Sequence, residues 1–137
     1  MALVCIGMLL VSCGSNRLGD PKAQLMRDFG LHIDKKDCVL EELFNNYEGV
    51  PYEGIALYKL TVGEDVRQAF LQWERFPLPE EAEHFLESLS AYVELPLIAD
   101  GCWKMVDRNP GTSAYTNVSL CVYDRATDAA YLLTMDI

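Results

Sequence analysis

Residues 117 to 136 read Asn-Val-Ser-Leu-Cys-Val-Tyr-Asp-Arg-Ala-Thr-Asp-Ala-Ala-Tyr-Leu-Leu-Thr-Met-Asp. Two runs rich in β-branched, aromatic and aliphatic residues flank Arg125-Ala126-Thr127-Asp128. Such runs favour strands, and the polar quartet has turn chemistry, so the stretch predicts a β-hairpin. Just upstream, Gly101 to Asp107 reads as a third strand, joined through a loop containing Asn109-Pro110-Gly111-Thr112. The expected strands are therefore 101–107, 117–124 and 129–136, in an antiparallel sheet. A first hairpin centred near Gly111 sets Cys102 opposite Cys121 and Trp103 opposite Leu120. A second, centred on Ala126, sets Leu120 near Leu132. Trp103, Leu120, Val122 and Leu132 then share one face, which should pack on helices.

Those helices are sought upstream. Asp20-Pro21 is a start signal, because Asp caps free N–H groups and Pro suits the first turn. Leu25, Met26 and Phe29 follow on one face, and Gly30 can close the helix. Leu31 to Asp34 alternates weakly, as a short strand would. Cys38 to Tyr47 fits either a helical turn or a strand. Ile55 to Val62 favours a strand, and Gly63 ends it. Val66, Ala69, Phe70 and Trp73 recur at helical spacing. Pro79 opens the clearest helix, "PEEAEHFLESLSAYVE". Its apolar stripe is Ala82, Phe85, Leu86, Leu89, Tyr92 and Val93. Glu80, Glu81 and Glu83 sit in its first turn, where the helix dipole favours anions, so this acidic cluster has a structural explanation. The expected fold is a small α+β domain, with about three helices on one face of an antiparallel sheet.

Composition bounds the rest. The chain has 137 residues, Lys and Arg total 11 and Asp and Glu 21, and the net charge is −10. One domain is expected at this length. So acidic a chain is a poor partner for nucleic acid, whose phosphates need a basic patch. It is also repelled by anionic head groups, so a membrane attachment would have to be hydrophobic or covalent.

Ala2 to Val11 is nearly all apolar but, at about 11 residues, too short to cross a bilayer as a helix. Its length suits the apolar core of a secretory signal. It ends at Leu10-Val11-Ser12-Cys13, which resembles the lipobox of bacterial lipoproteins. That resemblance implies a diacylglyceryl group on the Cys13 thiol, cleavage just before it and, as the protein's partner, a membrane reached through this lipid. It also implies a cell-envelope location outside the cytoplasm. Residues 1–12 are then a signal peptide, 13–20 a lipidated tether and 21–137 one globular domain. No Lys or Arg precedes Arg17, where such signals carry a basic start. A translation start upstream of Met1 would supply one. The alternative is a buried N-terminal strand with Cys5 and Cys13 as core thiols. A second resemblance rests on "WKMVDR" and "NVSLCVYDRATDAAYLLTMD". Trp103, Asp107, Arg108, Asn117, Tyr123, Asp124, Tyr131 and Asp136 match the end of small, uncharacterised surface lipoproteins of Gram-positive gut bacteria. That group implies no activity.

Chemistry-bearing motifs are few. An exported chain permits disulfides, and the derived register makes Cys102 and Cys121 a candidate pair. Their bridge would close a loop of about 20 residues and add roughly 3 kcal/mol. Cys38 is left over. No CxxC, HExxH, GxSxG, phosphate-binding loop or GxGxxG occurs, so neither a metal nor a cofactor is expected and no catalytic residue is assigned. His32 and His84 are the two histidines, and Cys38 with His32 is the Cys/His pair the sequence offers. Aromatics on loops, namely Tyr52, Trp73 and Tyr115, are the candidate recognition surface, against the plainer reading that they cover the core ends. Three functions stay open. One is a non-enzymatic binding module for protein or glycan. Another is an acidic inhibitor or immunity-type protein that neutralises a basic partner. The last is a hydrolase using Asp100, Asp107 and Asp124.

Overall fold

The computed structural model describes residues 20–33, 38–49, 53–111 and 116–137. The helices are α1 (Pro21–Phe29), α2 (Glu64–Phe70) and α3 (Glu80–Ser88). The strands are β1 (Cys38–Asn45), β2 (Gly54–Val62), β3 (Glu74–Arg75), β4 (Gly101–Asp107), β5 (Asn117–Asp124) and β6 (Ala129–Asp136). All six strands form one antiparallel sheet in the order β1-β2-β6-β5-β4-β3.

The expected α+β arrangement, with helices on one face, needs correction. Among the described residues 41% are strand and 23% helix, so the molecule is mainly sheet. The three short helices among the described residues also divide between the two faces. Leu25 and Phe29 of α1 and Val66 and Phe70 of α2 pack on the face carrying Tyr58, Leu60, Cys121, Tyr123 and Leu132. Phe85 of α3, with Leu89 and Val93, packs on the face carrying Leu57, Val118, Leu120, Val122 and Leu133. The physical cause lies in β5 and β6, which are buried along almost their whole length. Strands covered on both sides carry continuous apolar runs rather than alternation. A sheet with two apolar faces must bury both.

Local signals behave as their chemistry predicts. Asp20 accepts from the Lys22 N–H at 3.0 Å, and Gly30, at φ 67°, closes α1. At this left-handed position glycine avoids the Cβ clash. Residues 101–107, 117–124 and 129–136 are strands. Cys38–Asn45, open between helix and strand in the sequence, is strand β1. Leu31 to Ile33 forms no strand. The long helix expected to Glu94 stops at Ser88, and turns carry the chain on to Tyr92.

Register departs from expectation in two ways. Cys102 pairs with Tyr123 and Trp103 with Val122, a slip of two residues that preserves the face. Leu120 pairs with Leu133, not Leu132. This slip of one residue turns Leu132 to the opposite face. The cause is an even turn, Arg125 to Asp128, closed by Asp124↔Ala129, with Asp128 at φ 55°.

Candidate functional site

The α3 face carries an open concavity, and local sequence builds it. The helix ends at Ser88, and the chain turns and then runs without secondary structure from Val93 to Ile98. Two prolines before the helix and one inside "ELPLI" deny these segments the N–H groups a strand would need. Helix and return segment leave a hollow of about 810 Å3 between them, floored by Phe76, Leu78, Leu86, Val93, Leu95 and Ile98. Gly101 allows this close packing: a Cβ there would meet Ile98, Phe76 and the Tyr123 carbonyl. A second hollow, of about 490 Å3, is lined by Glu41, Leu43, Lys59 and Tyr131 on its far side. Both hollows share Glu94, Leu95, Pro96 and Leu97 as a wall. Leu97 stands on that ridge at 99% exposure, and Tyr92 is 56% exposed nearby in sequence.

Leaving a whole leucine side chain in water forgoes about 1.5–3 kcal/mol of transfer energy. A single exposed leucine is ordinary on a protein surface. One that crowns an open apolar hollow is the feature of a recognition surface. The lining of the larger hollow holds three charged side chains, Glu83, Glu87 and Glu94, and all are acidic.

A polar cluster occupies the opposite character of environment, where α1 meets the ends of β4, β5 and β6. Arg108 donates to Asp28 at 3.0 Å, to the Met135 carbonyl at 3.2 Å, and to Ser119 and Asp136. Ser119 also donates to Asp28 at 2.5 Å, and Gln24 donates to Asp28 and Ser119. Tyr47 donates to Asp136 at 2.7 Å. Burial, with the neighbouring Asp136 carboxylate adding to it, pushes the Tyr47 phenol well above its usual range. The Asp28 side chain is only 7% exposed. Every charge here has a partner, so the cluster is a clasp between α1 and the sheet. A smaller clasp joins α2 to the β5–β6 turn: Arg67 reaches Asp128 through two bonds of 2.8 and 2.7 Å, and Tyr123 donates to Asp128 at 2.6 Å.

The residues singled out in the sequence fare differently. Cys102 and Cys121 are free thiols, as is Cys38, and the expected bridge between Cys102 and Cys121 is not formed. Cys121 faces Lys104 and Cys102 faces Tyr123, so the two cysteines are diagonal, about 7–8 Å apart and beyond bridging range. Burial pushes the thiol pKa of all three upward, which suits inert core residues. Trp73 lies in the loop between α2 and β3, but its ring is turned onto the core and half-buried. It packs against Phe29 and Phe70, with ring centroids 5.4 and 4.9 Å away, on the α1–α2 face. Cys13, Tyr52 and Tyr115 lie outside the described residues. The three carboxylates of the hydrolase reading are not brought together. Asp124 accepts from the Ala126 N–H and Thr127, and Asp100 pairs with Arg75 and Arg125. Asp107 stands six residues away along β4 from the Gly101↔Asp124 pair, which is about 20 Å of strand. His84 lies on the outer side of α3, 3.9 Å from Glu80.

The hollow escaped sequence reasoning. Its signal was "ELPLI", an apolar run interrupted by Pro96 and therefore unable to bury itself in a helix or a central strand. No family model, curated protein or solved structure matches the chain.

Proposed function

We propose that this chain is a lipid-anchored, non-enzymatic binding module of the bacterial cell envelope that recognises its ligand on the α3 face. The open apolar hollow crowned by Leu97 carries the binding half of this reading. A concave apolar lining with a few polar groups is the common form of a ligand site. The lipobox-like Leu10-Val11-Ser12-Cys13 supports the anchor. The acylated Cys13 would hold the domain on the membrane, since two or three acyl chains anchor stably where one does not. The acidic domain would itself stay clear of anionic lipid.

Two measurements test the two halves. Intact mass of the protein from a bacterial host should match loss of residues 1–12 plus acyl chains, and Cys13→Ala should abolish the change. An unmodified full-length mass contradicts the anchor. For binding, the neutral apolar dye Nile red is titrated into the full chain carrying Cys13→Ala. Saturable fluorescence enhancement, lost on adding Leu97→Asp while thermal stability holds, is the expected result. No enhancement, or enhancement indifferent to Leu97, contradicts the site.

A further inference from the structure

The ligand's chemistry follows from how charge is distributed around the hollow. Glu83 and Glu87 are one turn apart on α3, and Glu94 tops the opposing wall. Glu41 borders the adjoining hollow, where Lys59 is the single cation of the lining. Glu41 faces Lys59 across the β1–β2 pair, so that cation already has an acidic neighbour. By contrast, the basic side chains that make ion pairs act elsewhere: Arg108 in the clasp at the strand ends, Arg67 at the β5–β6 turn, and Arg75 and Arg125 around Asp100. Among the described residues, then, the apolar floor is edged almost wholly by carboxylates.

We infer, taking the α3 face as the binding site, that its ligand is an amphipathic polypeptide segment with an apolar stripe flanked by Lys or Arg. The apolar stripe would cover Leu97 and enter the hollow, and the basic flanks would meet Glu83, Glu87 and Glu94. This is the helix-in-groove mode of recognition, with electrostatic complementarity fixing the partner's sign. An anionic membrane surface is excluded by the same carboxylates, and an acidic or neutral glycan would leave the glutamates without partners. The remaining charge of the chain, −10 overall, adds long-range steering of a cationic segment.

The test uses two designed helical peptides of identical leucine stripe, one with lysine and one with glutamate on the flanks. Each competes with Nile red on the full chain carrying Cys13→Ala. The lysine peptide should displace the dye and the glutamate peptide should not. Neutralising the rim with Glu83→Gln, Glu87→Gln and Glu94→Gln should weaken the lysine peptide about tenfold relative to the unsubstituted rim, as three exposed ion pairs warrant. Neutralising Glu48, Glu53 and Asp65 to their amides, away from the hollow, should weaken it less than about twofold, the screened residue of net charge. Equal binding of both peptides, or equal loss from the two triple variants, overturns the inference while dye binding keeps the site. Failure of the dye to bind at all removes the site and the inference together.

Discussion

Replacing Arg108 by methionine probes the clasp that fastens α1 to the sheet. Methionine keeps much of the stem's packing and removes the guanidinium, so the change isolates the charge and its bonds. In the native protein that group donates to Asp28, Ser119, Asp136 and the Met135 carbonyl. Its own side chain is 21% exposed, and Asp28 is 7% exposed. Loss of one member of a fully buried ion pair costs about 3–5 kcal/mol, because the other charge stays behind unpaired. Asp28 retains Ser119 and Gln24 as donors, and Asp136 retains Tyr47. The expected cost therefore sits at the low end, about 3 kcal/mol. That is a large share of a small domain's total of about 5–15 kcal/mol. Urea denaturation is the assay. With an m-value of about 1.5 kcal/mol per molar, the midpoint should fall by about 2 M at unchanged slope. A double-mutant cycle with Asp28→Asn should then recover at least about 1 kcal/mol, since the stranded carboxylate is gone. A single-variant loss below about 0.5 kcal/mol, the range of ordinary surface substitutions, would refute the clasp. So would strict additivity in the cycle.

Other outcomes follow from the same structure. Phe85→Ala should cost about 4 kcal/mol in the same denaturation assay, because it empties a fully buried ring site beneath α3. Cys38, Cys102 and Cys121 should all resist alkylation in the native protein at neutral pH and all react once unfolded without reductant, as read by peptide mass mapping; a disulfide between Cys102 and Cys121 would leave Cys38 as the reactive one of these three. Hydrogen bonds from Arg67 and then Tyr123 hold the Asp128 carboxyl below its usual range. A depressed carboxyl pKa stabilises the fold above the unfolded value near 3.8 and loses that contribution as pH falls through the folded value. Asp128→Asn should accordingly flatten the loss of thermal stability below pH 3.8 relative to the native chain. In the alkaline range burial, helped by the Asp128 carboxylate, pushes the Tyr123 phenol up to about 12. That contribution is whole below pH 10 and is lost as pH rises toward 12, so Tyr123→Phe should lessen the alkaline fall in thermal midpoint.

The sequence carried the strands of the C-terminal third to the residue, because β-branched and aromatic runs there are bounded by turn chemistry. It also carried α1, whose Asp-Pro start and Gly stop are local signals. The division of helices between two faces is present too, in the missing alternation of "AAYLLTMD", which an expectation of one packed face leaves out. Pairing register depends on turn length, and one residue's difference at Asp124–Ala129 moved Leu132 across the sheet. The disulfide expectation inherited the first hairpin's error of two. Strand β3 was hidden because two residues between Trp73 and Phe76 carry no periodicity. The clasp could not have been foreseen. Arg108, Asp28, Ser119 and Asp136 meet only through the three-dimensional fold, from positions separated by up to a hundred residues or so. The hollow depends in the same way on where the return segment lies over α3.

The α3 face as the recognition surface is tested most directly by backbone amide chemical-shift mapping of the labelled chain, carrying Cys13→Ala, against the lysine-flanked peptide. The largest shifts are predicted for Leu86, Glu87, Val93, Glu94, Leu95 and Leu97, with α1 and α2 silent. Shifts centred on α1, α2 or the Arg108 clasp, with the Glu94–Leu97 ridge unmoved, would contradict it.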